Sequence, residues 1–221
     1  MTPLPDEIKK QKIIEQLVWN DSVNANEISV KVNGDSVLLE GMVPNYATKI
    51  SAAADANLVS GINVVENNIK VQFPVTSNLP DDREITENAK NQLHWNSKIV
   101  SGKIEVDTKD GIVSLSGKTD SLWEKNEAEN IISEVYGVVG VVNKLEVELS
   151  RSVQDLDIEQ DIRNSYERSI LINENKIDIK VRQGTVHLTG SVANYPIKKE
   201  AIDIATYTKG VINVVGDITI E

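Results

Sequence analysis

The side chains that most often carry out acid–base, metal or nucleophilic chemistry are scattered in this sequence. Its two histidines, His94 and His187, lie far apart, and neither has a metal-ligand spacing such as E-x-x-H around it. The chain has no cysteine, which excludes disulfides and thiol chemistry. No G-x-S-x-G motif and no glycine-rich phosphate-binding loop occurs. We therefore expect no catalytic, cofactor-binding or metal-binding residue; only an unrecognised site between repeats would support an enzyme.

Tryptophan is the residue type that stands out, because aromatic residues make up only 4% of the chain. Trp19 and Trp95 are equivalent, each two residues past a leucine, and that step turns a helical side chain by roughly 200°. Trp123 stands at the start of a later predicted helix. Packing on the core or on a neighbouring repeat is the favoured interpretation for all three. The alternative is contact with a lipid surface or a partner, since interfaces are enriched in tryptophan.

Two basic residues, Lys180 and Arg182, join the tryptophans as possible partner or lipid contacts. They occupy outward positions on a predicted strand, where the preceding repeat presents acidic residues at comparable places, among them Glu105 and Asp107. Opposite charges on two such faces favour docking between repeats or head-to-tail association. A solvated face is the simpler interpretation.

The elements that must position these residues repeat three times. Each repeat has a glycine that ends a predicted hairpin and another glycine twenty residues later: Gly41 and Gly61, Gly117 and Gly137, Gly190 and Gly210. Around them the order is helix, two strands, helix, strand, with alternating apolar residues in the strands and a helical apolar stripe before the second glycine. Three copies with so long a period indicate an array of small domains.

The hairpins and the second helices give more specific expectations. Asn33-Gly34 and Asp110-Gly111 are dipeptides that accept positive φ at both central positions of a tight turn, and Gln183-Gly184 stands at the third turn. Asp55 lies in the helical stripe where an isoleucine is expected. We interpret Asp55 as a sign of a partly exposed helix and not as a catalytic acid.

These patterns predict an α+β protein of three tandem α-β-β-α-β modules. Each module is expected to be a small mixed three-stranded sheet with two helices on one face. We name residues 1–73 module 1, residues 79–150 module 2 and residues 151–221 module 3. The linker between the first two contains two prolines and no charge, which favours an extended and semi-rigid conformation.

Charge and hydropathy restrict the partners. The net charge of -11 opposes nucleic-acid backbones and bulk anionic lipid, and no basic G-x-x-G loop of an RNA-binding module occurs. The first residues lack the apolar segment of a signal peptide, and no apolar run approaches the length of a membrane span. The chain as it stands is therefore expected in the cytoplasm, with the periplasm as the alternative if a leader has been removed.

The two most regular segments carry a family resemblance. The segment from Ile104 to Gly117 has the pattern I-x-V-x-x-x-x-G-x-V-x-L-x-G, and Gly137 to Val147 reads GVVGVVNKLEV. Together with the α-β-β-α-β order, they resemble the BON domain, three times over nearly the whole chain. The resemblance implies a non-enzymatic binding or scaffold protein, related to stress or to the cell envelope. Two alternatives remain open: a phospholipid-head-group-binding protein and a chaperone-like periplasmic adaptor. It implies no cofactor, no small-molecule substrate and no nucleic acid; a protein partner or a membrane surface is the expected contact.

Overall fold

The computed structural model describes residues 5–20, 23–74, 78–149, 153–172 and 176–220. Each module follows the order helix, strand, strand, helix, strand. Module 1 consists of α1 (Asp6–Trp19), β1 (Ile28–Asn33), β2 (Ser36–Val43), α2 (Tyr46–Asn57) and β3 (Val64–Val71). Module 2 consists of α3 (Asp82–Trp95), β4 (Ile104–Lys109), β5 (Ile112–Thr119), α4 (Leu122–Ser133), β6 (Gly140–Asn143) and β7 (Glu146–Val147). Module 3 consists of α5 (Asp155–Arg168), β8 (Ile177–Arg182), β9 (Thr185–Val192), α6 (Tyr195–Tyr207) and β10 (Asn213–Ile220).

The three small sheets are mixed, as predicted. In module 1 the strand order is β1-β2-β3, and the central strand β2 pairs antiparallel with β1 and parallel with β3. Module 3 repeats this arrangement with β9 in the centre. In module 2 the order is β4-β5-β6, and the last strand continues in the short β7, which pairs parallel with β5. A parallel neighbour requires a crossover, and the second helix of each module provides it.

Module 1 shows how each core is built. Ile13 and Leu17 lie one turn apart on the buried face of α1. Ala52 and Ala56 do the same on α2, and their small side chains let that helix lie close to the sheet. On the sheet, buried and exposed residues alternate along the hairpin strands, so that Leu39 points into the core. The periodicities of the sequence therefore place one apolar face on each element and bury it.

The hairpin turns lie at the predicted dipeptides in modules 2 and 3, and the turn of module 1 differs. Asp110 and Gly111 both have positive φ, 53° and 73°. In module 1 the prediction for Asn33-Gly34 was wrong, because Asn33 pairs with Ser36 as the last residue of β1. The loop there is Gly34 and Asp35, and of the two only Gly34 has positive φ.

Gln183 shows that the turn does not require asparagine or aspartate. Gln183 and Gly184 have φ values of 49° and 72°, close to those of the turn in module 2. A left-handed conformation at glutamine is uncommon, so the surrounding contacts must hold it there. One of those contacts is the hydrogen bond from the Gln183 backbone N–H to an aspartate at the start of α5, Asp155, at 2.7 Å.

That aspartate belongs to a contact that recurs in all three modules. Asp82, at the start of α3, accepts hydrogen bonds from the backbone N–H groups of Asp110 at 2.8 Å and Gly111 at 2.9 Å. Asp155 accepts in the same way from the turn of module 3, and Asp6 accepts from Gly34 at 3.1 Å. Negative charge at a helix start also suits the positive end of the helix dipole. The structure adds that this carboxylate ties the first helix to the hairpin.

The glycine that ends each hairpin is required by a close approach of backbone. Gly41 has a φ of +143°, and a Cβ atom added there would lie 2.0 Å from the carbonyl oxygen of Glu27. Gly190 is equivalent, with a φ of +142° and 2.0 Å to the carbonyl oxygen of Lys176. A steric clash with backbone and a positive φ therefore both favour glycine at this position.

The chain forms two compact units, and the division runs through module 2. The first unit comprises Met1–Gln92, Val106–Ser114 and Ile131–Val142, and its largest core is that of module 1. The second unit comprises Leu93–Glu105, Leu115–Asn130 and Asn143–Glu221. The core of the second unit is that of module 3 with two additions from module 2, Leu122 and Val147. Within the second unit, the start of α4 therefore shares the apolar core of module 3.

None of the helices in the described ranges is long and apolar enough to cross a membrane.

Candidate interaction surfaces

The tryptophans at the ends of the first helices are strongly exposed. Trp19 is the last residue of α1 and 86% exposed, and Trp95 is the last residue of α3 and 74% exposed. The leucines two residues earlier, Leu17 and Leu93, are buried. Both helices thus continue far enough to turn the indole away from the core stripe, and the predicted packing on the core does not apply to these two rings.

Further apolar side chains are exposed next to these positions. In module 1, Val18 precedes Trp19 and is 64% exposed. In module 3 the residue equivalent to the tryptophans is Arg168, and the exposed side chains Ile170 and Leu171 come after the helix and its cap Ser169. We name these three places the helix-end tips: Val18 and Trp19 in module 1, Trp95 in module 2, and Ile170 and Leu171 in module 3. Each module therefore exposes apolar side chains near the end of its first helix.

The helix-end tip of module 1 is held by a hydrogen bond between its two helices. Asn20 follows Trp19 in an extended conformation, and its Nδ2 donates to Oδ2 of Asp55 on α2 at 2.7 Å. Asp55 is half-buried, and this burial raises the pKa of its carboxyl group, while the hydrogen bond from Asn20 lowers it. The unexpected polar residue in the stripe of α2 therefore fixes the end of α1.

The chain after Trp95 is held by a buried carboxylate. Glu124, on the first turn of α4, accepts hydrogen bonds from the backbone N–H groups of Val100 at 2.6 Å and Asp120 at 2.9 Å. Its own backbone N–H donates to Oγ of Ser121 at 3.1 Å. Ser121 thus caps the start of α4, and Glu124 reaches back to the residue before this cap and to the loop after α3.

Trp123 lies in a different setting from the other two tryptophans. It is half-buried, and the structure brings it together with Tyr207 of module 3, with the ring centroids 6.4 Å apart and the planes at 33°. Nζ of Lys98 lies 5.8 Å from the centroid of the Trp123 ring. Of the three tryptophans, Trp123 is the one that the packing interpretation describes.

Beside this ring pair runs a groove of about 400 Å³ between α4 and α6. We name it the α4–α6 groove. Among its lining residues are Trp123, Glu127, Glu129, Lys199, Asp203 and Tyr207. Sequence reasoning missed Tyr207 and Asp203, because the equivalent residues of module 2 are Glu134 and Asn130 and no repeated pattern marks the position.

The two basic residues singled out in the sequence lie on the open face of the module 3 sheet. Lys180 and Arg182 are exposed, and Lys180 forms an ion pair with Asp178 at 3.2 Å. Lys180 lies opposite His187 in the register of β8 and β9. Surface ion pairs of this kind contribute little to stability.

No side-chain cluster in the described ranges suggests a metal site. A search of these residues for groups of three or more His, Asp or Glu side chains that suit a metal ion finds none. His94 is exposed, and its Nδ1 lies 3.5 Å from Oγ of Ser101, a distance at the outer limit of a hydrogen bond.

Comparison with known proteins supplies the family. A family model of the BON domain matches residues 5–72, 81–148 and 154–221. Osmotically-inducible protein Y of Escherichia coli is 31% identical over 137 residues, which cover 61% of this chain and 68% of that protein. Outer membrane lipoprotein DolP of Haemophilus influenzae is 30% identical over 140 residues, which cover 62% of this chain and 69% of that protein.

Among solved structures, CdsD of Chlamydia trachomatis, described as a structural protein of the type III secretion system, aligns with 98% of this chain and 93% of its own. The identity is 14% and the TM-score 0.27, so the likeness carries no argument about fold or function.

Proposed function

This chain belongs to the BON domain family, with one domain match in each module, and from that premise we propose that it is a non-enzymatic binding protein of the bacterial cell envelope. Its two curated relatives are named for osmotic induction and for the outer membrane. We extend both properties to this chain as a role at the envelope under osmotic stress. The family match and the absence of a catalytic motif in the sequence support a binding function over an enzymatic one.

The observation that carries the proposal is the exposure of Trp19 and Trp95. Leaving a large apolar ring in water forgoes about 1.5–3 kcal/mol of burial per side chain, so two equivalent exposed rings need a reason outside the folded monomer. Trp19 and Trp95 end helices at the same point of two modules. Contact with an apolar pocket of a partner, or with the interface of a lipid bilayer, would recover that free energy.

Phospholipid head groups are the second candidate ligand. Indole rings suit the boundary between head groups and acyl chains, because one edge is apolar and the other carries an N–H. The net charge of -11 acts in the opposite direction on anionic lipid, most strongly at low salt, where repulsion is least screened. If lipid is the ligand, we therefore expect neutral vesicles to bind better than anionic ones at low salt.

Sedimentation with vesicles tests the lipid alternative directly. Phosphatidylcholine vesicles, with and without phosphatidylglycerol, would be incubated with the full chain and with the Trp19→Ala/Trp95→Ala variant. A lipid ligand predicts co-sedimentation of the full chain that the double variant loses. Met42→Ala is the matched control, because Met42 is an exposed apolar residue elsewhere on module 1. Equal binding by all three proteins would contradict a role for the tryptophans.

Affinity capture from a native envelope extract tests the partner alternative. A partner that meets the helix-end tips should be retained by the full chain and by Met42→Ala, and lost with Trp19→Ala/Trp95→Ala. Retention by all three would move the contact to another surface. If neither vesicles nor proteins distinguish the double variant, the proposal that Trp19 and Trp95 form the binding surface is wrong.

A further inference from the structure

We propose that the α4–α6 groove binds an arginine side chain presented by a basic segment of a partner protein. The groove is a different surface from the helix-end tips. It combines three features that favour binding of a cation: aromatic rings, carboxylates without a compensating positive charge, and a preorganised helix start. Its volume of about 400 Å³ is within the usual range for a ligand pocket.

The first feature is an aromatic surface that already attracts a positive charge. Trp123 on α4 and Tyr207 on α6 both line the groove, and Tyr207 is 66% exposed. The ammonium group of Lys98 lies within 6 Å of the Trp123 centroid, the range of a cation–π interaction. A cation from the chain itself therefore marks this ring as one that accepts positive charge.

The second feature is an excess of carboxylates along the groove. Lys199 forms an ion pair with Asp203, which balances those two charges. Glu129 accepts a hydrogen bond from Nδ2 of Asn143 at 3.1 Å, a neutral donor that leaves its charge in place. Glu127, in contrast, has no hydrogen-bond or ion-pair partner among the residues that the structure describes. Two uncompensated negative charges thus face the opening, and an incoming cation would satisfy them.

The third feature is preorganisation. Leu122, the residue before Trp123, is buried in the core of module 3, and Glu124 caps the start of α4. Both walls of the groove belong to the second compact unit. The start of α4, which carries Trp123, is therefore in position before a partner arrives, which lowers the ordering cost of binding.

Arginine fits these features better than lysine does. Its planar guanidinium stacks on aromatic rings, and its paired N–H groups match a carboxylate with two parallel hydrogen bonds. Lysine is a compact and strongly hydrated charge, which gains less from a flat ring. A groove with two rings and a free carboxylate should accordingly distinguish the two cations.

Trp123 can report binding in a protein in which it is the sole tryptophan. The chain has three tryptophans, so Trp19→Phe/Trp95→Phe leaves Trp123 as the only indole and keeps an aromatic ring at both helix-end tips. Hexa-arginine peptide should change Trp123 emission in a saturable manner, and hexalysine should need roughly 5-fold more peptide. Hexaglutamate should have no effect. No response to hexa-arginine, or equal responses to both basic peptides, would overturn the proposal.

Charge-matched variants separate the groove from general attraction. In the same background, Glu127→Gln/Glu129→Gln should weaken hexa-arginine binding by roughly 10-fold, since both carboxylates line the groove. Glu105→Gln/Asp107→Asn removes the same charge from exposed positions of β4 and should change binding by less than about 2-fold. Equal losses in the two variants would show that only the net charge matters, and the groove would not be the site.

The lysine over the ring gives a test with the opposite sign. Lys98→Gln removes a competing cation and should tighten hexa-arginine binding by about 2- to 3-fold. Lys109→Gln, an exposed lysine of β4, changes the net charge equally and should have a smaller effect. Equal tightening by both variants would contradict the role of Trp123. If choline-headed vesicles change Trp123 emission and hexa-arginine does not, the groove takes a quaternary ammonium and the proposal fails.

Discussion

In module 1 a buried lysine occupies the position that an isoleucine fills in module 3. Nζ of Lys9 donates hydrogen bonds to the carbonyl oxygens of Gly34 at 2.6 Å and Gly61 at 3.2 Å. The equivalent Ile158 is fully buried in the core of module 3, and its Cδ1 would lie 3.0 Å from a Cβ added at Gly210. One site in the same fold is therefore occupied by a hydrogen-bonded cation in one copy and by an apolar side chain in the other.

A second exchange between these modules concerns the last strand and the second helix. Nδ2 of Asn67 on β3 donates to the carbonyl oxygen of Lys49 on α2 at 2.7 Å. Module 3 has Gly216 at this place, and the space is used by Ile202, whose Cδ1 would lie 3.0 Å from a Cβ there. A polar contact in module 1 is thus replaced by an apolar contact in module 3.

The comparison separates what the fold requires from what it tolerates. Both modules need a glycine at the end of the hairpin and an aspartate at the start of the first helix. Interior positions near the helix ends accept polar or apolar side chains, provided that each polar group finds a partner. No buried side-chain nitrogen or oxygen in the described ranges lacks a hydrogen-bond partner.

The largest loss of stability is expected at the hairpin-ending glycine, which both modules require. Gly41→Val and Gly190→Val each place a side chain where a carbonyl oxygen lies 2.0 Å from the added Cβ, at a φ that valine resists. Each should cost at least about 3 kcal/mol and unfold its own module. Hydrogen exchange, followed by mass spectrometry of peptides from modules 1 and 3, measures the effect separately. If one module tolerated its valine, the two copies would not share this requirement.

A smaller effect is expected at the lysine that only module 1 contains. Lys9→Met keeps the length of the side chain but leaves the carbonyl oxygens of Gly34 and Gly61 without this donor. Module 1 should lose about 1–3 kcal/mol, the usual cost of an unsatisfied buried polar group. The measurement is amide exchange in α1 and the β1–β2 hairpin, with Lys12→Met, on an exposed position of α1, as the control. A stability gain would show that the apolar solution of module 3 suits module 1 equally well.

The features that all modules share could be predicted from the sequence because they repeat. The positions at which a polar residue of module 1 is replaced by an apolar one in module 3 could not. Alternation in the strands and the spacing of the glycines indicated the element order and the mixed sheets. The turn of module 1 was predicted wrongly, because Asn33-Gly34 has the composition of a tight turn while the actual loop lies one residue later. A local dipeptide does not determine the register, which depends on the pairing of the whole hairpin.

The candidate surfaces were predictable only where a helical position decides exposure. For Trp19 and Trp95 the two-residue step from a core leucine indicated rings turned away from the leucine stripe, but packing was the favoured interpretation, and the structure exposes both rings. Trp123 stands at the start of a predicted helix, but its surroundings come from Tyr207, more than eighty residues away in another module. Contacts between modules follow no repeat, so neither Tyr207 nor the α4–α6 groove was predictable from the pattern.

A pH-dependent difference is expected at Asp55, where module 3 has Ile204. Burial raises the folded-state pKa of Asp55 above its ordinary value of 3.8, so the folded module favours the protonated acid. Its contribution to stability is therefore greatest below pH 3.8 and declines as the pH rises through the folded-state pKa. The Asp55→Asn variant has no charge to bury at this position, so its stability does not decline with rising pH for this reason. At neutral pH its free energy of unfolding should be higher than that of the wild type by less than about 1 kcal/mol, because the group is half-exposed. Urea titrations across this range measure the difference, and a constant difference at every pH would contradict it.

The smallest change in stability, and the sharpest test of the comparison, comes from exchanging the residues that end α1 and α5. Trp19 is exposed, and Arg168 at the equivalent position of module 3 lines a groove of about 540 Å³ with Asp161 and Tyr207. Because neither side chain belongs to a core, Trp19→Arg and Arg168→Trp should each change stability by no more than about 0.5 kcal/mol.

Binding should respond differently to the two substitutions. Trp19→Arg should remove the contact of module 1 with the vesicle or captured partner found for the full chain, and Arg168→Trp should add a ring to the helix-end tip of module 3, beside Ile170 and Leu171. The double exchange keeps composition and net charge unchanged, which excludes a simple charge effect.

If the affinity rises with the number of helix-end tips that contain a tryptophan, the modules make the same contact and can replace one another. Binding that Trp19→Arg abolishes and Arg168→Trp does not restore would mean that the surroundings supplied by module 1 matter as much as the ring. Loss of stability above the expected limit in Trp19→Arg would contradict both, because it would make Trp19 part of the folded core.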